Sequence, residues 1–437
     1  MSLGQQGRSQ LSPMLRQFAL NNLALVLQYA VSGLVPLLLI PHIVRELGLA
    51  QFGALAIALA WANYGALTVQ YAFHLSGPRR LAQLTARETA LEIVCRIGSA
   101  KLVLLGAVGV ALAIGALAAA AVGHPVSVPQ VLLLVLVPVG AALHTGWHLQ
   151  AAGRFAAVSA LSMLGVILAM VTGLTGVAAH APGALILAAL ALGVGPLWTG
   201  ASTLAASMRL LSHTHEGAGR RAGWRTPWAE LREGWPLFAS QLTSALYTAS
   251  GPIVVGLLAG VEEAGAYSAV ERVTTAVGGA CLLVHTAAYP KLAELYSRDR
   301  RAYLRLLRIV LTAYISLTGM VAIGAVLAWQ PILHFLLGAA GGSYGPMLAA
   351  GLVWVLLGIF GTILTGYLTV RGEGDRVLPL TARVLALSFL LGIPGVLVWG
   401  SWAWMAALCT AQVLVLAAGW RAWQAETRSG HDVQRAQ

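Results

Sequence analysis

LVLLGAVGVALAIGALAAAAV, residues 102–122, is an uninterrupted apolar run with no polar or charged side chain. A helix rises about 1.5 Å per residue, so a run of this length crosses the roughly 30 Å hydrocarbon core of a bilayer. Working outward, similar runs recur at 18–44, 52–74, 130–149, 156–178, 184–206, 235–259, 265–289, 309–329, 346–370, 380–399 and 402–420, with turn-forming residues between them. The reading is an all-α integral membrane protein with about twelve transmembrane helices. The first run is long enough to tilt or kink, and Pro36 offers a place to kink.

Composition agrees. Of 437 residues, 58% are hydrophobic and only 10% charged, against roughly 25% charged in soluble domains. About twelve spans occupy over half the chain and leave room only for short loops. The net charge of +12 would suggest nucleic acid if the basic residues formed one patch. They lie instead between apolar runs, where they act as topology signals. Cys95, Cys281 and Cys409 are far apart and have no metal-ligand spacing, so they are read as free thiols. Arg8 and Arg16 precede a run too long for a signal-peptide core, and that run is therefore taken as the first span.

Orientation follows from Lys and Arg. If the N-terminus, every second loop and the C-terminus share one side, that side holds all the basic residues except Arg45 and the in-span Arg272. The Arg-rich side is cytoplasmic by this rule, with both termini on it. The longest segment on that side, 207–234, reads as a linker between an N-terminal six-helix lobe (1–206) and a C-terminal lobe with a short tail (235–437). Trp329, Trp399, Trp402 and Trp404 fall at the opposite face, as an interfacial aromatic belt does. Phe52-Gly53-Ala54 and Tyr267-Ser268-Ala269 lie about half the chain apart, as do Pro36 and Pro252. This spacing fits two parallel halves, a plan in which the substrate site lies between the repeats.

Polar residues inside spans are costly and face a cavity or a partner. Asn63, Gln70 and His74 are spaced to share one helical face, as are His144 and His148, and Gln241, Ser244 and Thr248 with Tyr247 nearby. Gln28 adds a polar group to the first span. Glu271, Gly278 and His285 recur every seven residues, and Arg272 adjoins Glu271. Each has a plainer reading. Ser and Thr bond their own backbone, Asn and Gln bridge helices, and His74 and His148 reach the headgroups from helix ends. Glu271 and Arg272 are the one charge pair inside a span, and either reach water at the outer boundary or line a cavity.

Neither G-x-S-x-G, H-E-x-x-H, the P-loop nor a dinucleotide turn is present. Enzymatic activity, a cofactor and a nucleotide-driven pump are therefore not expected. Transport would run on an ion gradient, a substrate gradient or a partner.

Ala72-Phe73-His74-Leu75-Ser76-Gly77-Pro78-Arg79-Arg80-Leu81-Ala82 resembles the end of the second span in Wzx-type polysaccharide flippases. Trp235-Pro236-Leu237-Phe238-Ala239-Ser240-Gln241-Leu242, Gly265-Ala266-Tyr267-Ser268-Ala269-Val270-Glu271-Arg272 and Ala288-Tyr289-Pro290-Lys291-Leu292 resemble later segments of the same family. His74 stands where that family usually has Asn, and Gly77-Pro78 replaces helical residues. The resemblance implies the multidrug/oligosaccharidyl-lipid/polysaccharide exporter fold, two six-helix lobes forming a V around a central cavity. It also implies a bacterial inner-membrane flippase for an undecaprenyl-pyrophosphate-linked O-antigen or exopolysaccharide unit. H+ or Na+ would be the coupling ion, and a polysaccharide polymerase complex a partner. On that reading Arg272, His285, His144, His148, His74, Gln28, Asn63, Gln70, Gln241 and Tyr247 line the substrate cavity. Glu271 couples the ion, and Arg79 and Arg80 recruit the pyrophosphate at the cytoplasmic side. A drug/cation antiporter of the same superfamily is the alternative, and would favour more acidic residues than Glu271 alone.

Overall fold

A computed structural model describes residues 3–83, 89–123, 126–177, 183–213, 227–370 and 377–417. Side chains are described in these segments except at 3–19, 22, 213, 280–291, 293–294, 296–297, 300, 304, 359 and 362–370. In chain order the helices are α1 (Leu3–Leu47), α2 (Leu49–Gln70), α3 (Phe73–Ala82), α4 (Ala90–Ala121), α5 (Val128–Leu143), α6 (Gly146–Ala151), α7 (Phe155–Gly176) and α8 (Ala184–His213). They continue with α9 (Pro227–Thr248), α10 (Gly251–Leu258), α11 (Val261–Arg298), α12 (Arg300–Leu327), α13 (Trp329–Leu337), α14 (Gly345–Val370) and α15 (Val377–Trp399). A 3-10 turn, Gly338–Ser343, separates α13 from α14, and a further helix, α16 (Trp402–Ala417), follows α15. Among the described residues there is no strand.

The twelve apolar runs fall mainly on helix where they are described, and those at 52–74, 130–149 and 235–259 are interrupted. Among the described residues eight helical stretches are long and apolar enough to cross a bilayer, or nine if α13 and α14, bent by 118°, form one broken span. α9 and α11 fall short because they carry charge, with Glu230, Arg232 and Glu233 in one and Glu262, Glu263, Glu271 and Arg272 in the other. α16 falls short by length.

Local signals explain several helix starts. Thr89 and Glu92 form a reciprocal capping box at α4, with Oγ1 of Thr89 accepting from Glu92 N at 3.2 Å. Asp299 accepts from the amides of Arg301 and Ala302 at α12. Gly48 (φ 85°) and Gly260 (φ 104°) precede α2 and α11 in a conformation that side chains rarely adopt. α1 runs helical past Pro36.

Contacts divide the chain into two compact units, Met1–Leu242 and Thr243–Gln437. The division falls inside α9. Within 207–234, α8 continues to His213 and α9 begins at Pro227. In the first unit Tyr71, Phe73, Ile93, Val94, Ile97, Trp147, Leu231 and Phe238 form one buried apolar cluster. In the second, Val384, Ala411 and Val415 pack with Tyr247.

Candidate functional site

The polar groups of the first unit gather where two spans break. α2 ends at Gln70, and Tyr71 (φ 45°) and Ala72 (φ 58°) both take the left-handed conformation before α3 begins. Neither is glycine, and such residues cost of order 1–3 kcal/mol each unless their surroundings fix them. Tyr71 is fixed. Its hydroxyl donates to Leu231 O at 3.0 Å, and its ring stacks on Phe238 with centroids 4.3 Å apart. Phe73 packs 5.7 Å away. The first turns of α9 are thereby held against the end of the second span.

Arg80 strengthens the same contact. It pairs with the buried carboxylate of Glu230 and with exposed Glu233 at 2.6 Å. Arg79, beside it, is exposed. Gly77 lets α3 approach α6. A Cβ at this position would lie 2.5 Å from the ring of Trp147, which is 1% exposed.

The second break separates α5 from α6 at His144 and Thr145. A helix end inside the protein leaves carbonyls without amide partners. Here α4 supplies the donors to these carbonyls, and α8 holds Thr145. Nζ of Lys101 donates to Ala141 O at 3.1 Å and to His144 O at 2.6 Å. Thr203 Oγ1 accepts from Thr145 N at 3.3 Å, and the hydroxyls of Thr145 and Ser207 bond at 3.0 Å. Lys101 is 2% exposed, and no carboxylate pairs with it among the described residues.

The two breaks are neighbours. The positive charge of Lys101 reaches both His74 and His144, and those two histidines interact with each other. Nε2 of Gln241 donates to Nε2 of His74 at 3.3 Å. Gln241 Oε1, His148 Nδ1 and Trp147 Nε1 are buried without a hydrogen-bond partner among the described residues. The first unit thus assembles an aromatic-walled, donor-rich and cationic cluster from α3, α4, α5, α6 and α9.

Sequence spacing named most of this cluster but misjudged its geometry. Asn63 and Gln70 lie on α2 while His74 lies on α3, so helical phase does not carry across Tyr71–Ala72. The same holds for His144 and His148, which stand on either side of the second break. Asn63 and His74 are exposed, His148 is buried, and Gln28, Gln70, His144 and Gln241 are half-buried. Lys101 was missed because the span was begun at residue 102. The Thr89-x-x-Glu92 signature starts α4 at residue 90 and so places Lys101 three turns inside the helix.

The second unit holds the remaining candidates. Glu271 and Arg272 are half-buried on unbroken α11 and attract one another, while Thr274 Oγ1 donates to Glu271 O at 2.9 Å. Tyr247 is half-buried and hydrogen-bonds Ser244. The side chain of His285 lies outside the described residues. Among the described residues no group of three His, Cys, Asp or Glu side chains is placed to hold a metal ion.

Comparison with known proteins follows this geometry. The chain is 22% identical over 399 residues to a Shigella dysenteriae protein named "Putative O-antigen transporter", covering 91% of this chain and 97% of that one. Its fold is similar to the lipid II flippase MurJ in an inward closed conformation, at TM-score 0.60 and 13% identity over 90% of this chain and 86% of that one. It is likewise similar to an inward-facing multidrug resistance MATE family transporter of the MOP superfamily, at TM-score 0.56 and 17% identity over 94% and 95%. The family model described as polysaccharide biosynthesis protein matches residues 19–296. That stretch contains all the motifs that resemble Wzx-type flippases, both broken spans and Lys101, and the chain therefore belongs to the polysaccharide biosynthesis protein family.

Proposed function

We propose that this chain turns an undecaprenyl-pyrophosphate-linked oligosaccharide from the cytoplasmic to the outer leaflet of a bacterial inner membrane by alternating access, drawing on an H+ or Na+ gradient. The observation that carries the reading is the full-length likeness to a relative named for O-antigen transport. The geometry supports it. A pyrophosphate carries about two negative charges and needs donors and cations in a polar setting, and the breaks of the first unit gather such groups. Both termini face the cytoplasm on this reading, as the Arg and Lys distribution requires.

The roles divide as follows. Arg79, exposed at the end of the second span, meets the pyrophosphate first. Arg80 is already held by Glu230 and Glu233 and secures α9. His74, His144 and Gln241 donate to the headgroup and the sugars, with Gln28, Asn63, Gln70 and His148 extending the polar lining. In the second unit Arg272, His285 and Tyr247 contribute in the same way, and Glu271 carries the coupling ion. An acidic site suited to drug cations would have to rest on Glu271 alone.

The test is complementation of a strain that lacks its own flippase. Wild type is expected to restore surface polysaccharide and to clear accumulated lipid-linked units. Glu271→Gln and Arg272→Ala are expected to leave those units inside. Drug resistance without restored polysaccharide would overturn the reading in favour of an antiporter, and full activity of both variants would remove the pair from the mechanism.

A further inference from the structure

The C-terminal end of α5 lies within the protein, with oxygens that no backbone amide reaches. Helix C-termini carry partial negative charge, and unwound carbonyls of this kind hold monovalent cations at the broken helices of other membrane transporters. In this chain the position is filled from within. The ammonium of Lys101 stands 3.1 Å from Ala141 O and 2.6 Å from His144 O. Its side chain is almost wholly buried, and among the described residues no carboxylate balances it. The oxygens around it belong to neutral groups. On the α8 side of the break, Thr145 is already tied to Thr203 and Ser207.

We propose that Lys101 is a tethered cation: its ammonium takes, at the α5–α6 break, the place of a bound monovalent ion, and so positions His144 and the α6 turn beside His74. A charge without a carboxylate partner makes poor sense as an ion pair, because burial would penalise it with no Coulombic return. It makes sense as the counter-charge of a helix end. Pinning His144 O fixes the backbone from which the His144 ring projects, and α6 carries Trp147 against Gly77. Lys101 is thus a positioning residue that acts on the donor cluster through the backbone. It also renders the break independent of Na+ or K+, which an empty carbonyl cage would need.

The test is chemical rescue in the purified full-length chain, read by melting temperature. Lys101→Ala keeps Cβ and removes four heavy atoms, which n-propylammonium replaces one for one. The variant is expected to melt at least about 5 °C below wild type. Millimolar n-propylammonium is expected to recover more than half of that loss with saturation, and to leave wild type unmoved. n-Propanol has the shape without the charge, and tetramethylammonium the charge without the N–H. Neither is expected to rescue. Recovery by propanol and propylammonium alike, or by neither, would overturn the proposal. If Lys101→Ala does not accumulate, the melting order Lys101→Arg above Lys101→Gln above Lys101→Met carries the same test, and Met ranking highest contradicts it. Melting is read without any transport, so a chain that moves no glycan leaves this outcome untouched.

Discussion

The two halves of the chain open in parallel and then break in different places. In each, a long helix ends in a turn with a positive-φ glycine, Gly48 or Gly260, and a second long helix follows. In the first half the leading helix α1 is unbroken, and the next span breaks at Tyr71–Ala72. In the second half the leading helix breaks between α9 and α10, and α11 then runs 38 residues without interruption. The polar groups follow the breaks. In the first half freed backbone carbonyls, Lys101 and two histidines come together, joined by Gln241 from α9, whereas in α11 the charge pair Glu271–Arg272 sits on continuous helix. Two stretches that share a glycine turn can therefore differ in where a helix breaks, and the position of the break decides what chemistry each offers.

The largest effect should come from the clasp that holds the first break. Arg80→Ala leaves the carboxylate of Glu230, 4% exposed, without its partner. A buried charge stripped of its partner costs about 3–5 kcal/mol. Glu233, 73% exposed, should cost at most about 1 kcal/mol as Glu233→Gln. Thermal unfolding of the two variants in detergent checks the ordering, and equal losses would mean that the clasp does not secure α9.

Next come the glycines set against aromatic rings near each break. A Cβ at Gly77 would meet Trp147 at 2.5 Å, and one at Gly251 would meet Tyr267 at 2.2 Å. Both rings are fully buried and have no room to withdraw. Gly77→Ala and Gly251→Ala should each lose about 1–3 kcal/mol. If only Gly251→Ala does so, the α3–α6 contact is looser than the packing of Trp147 implies.

The smallest effect has opposite signs in the two halves. Ala72→Gly relieves a left-handed alanine, worth about 1–2 kcal/mol, against about 0.5–1 kcal/mol of added chain entropy. A gain of roughly half a kcal/mol should remain. Ala276→Gly, in the unbroken helix α11, should lose about 1 kcal/mol. Matching signs would mean that Tyr71–Ala72 is not held in the left-handed conformation.

The sequence made the helices plain because apolar runs of span length need only composition to be seen. The capping box at Thr89 and the turns at Gly48 and Gly260 rest on equally local signals. The breaks were not legible, since neither Tyr71–Ala72 nor His144–Thr145 contains glycine or proline. They exist because distant residues stabilise them: Leu231 and Phe238 hold Tyr71, and Lys101, Thr203 and Ser207 hold the end of α5. The likeness between the turns at Gly48 and Gly260 goes no further than outline. Phe52 follows Gly48 by one turn and Tyr267 follows Gly260 by two, so the matching triplets do not occupy the same turn. The sequence spacing places Gln70 with His74, and His144 with His148, on common faces that the breaks dissolve.

The central claim is that the chain moves a pyrophosphate-linked glycan lipid across a bilayer. The direct measurement reconstitutes the purified chain into vesicles that carry a fluorescent polyprenyl-pyrophosphate oligosaccharide in the inner leaflet, and follows the label's exposure to a membrane-impermeant quencher under an imposed ion gradient. The account predicts quenching that depends on the protein, rises with the gradient and falls with Glu271→Gln. Exposure no faster than in protein-free vesicles, with a drug cation moved under the same gradient, would contradict it.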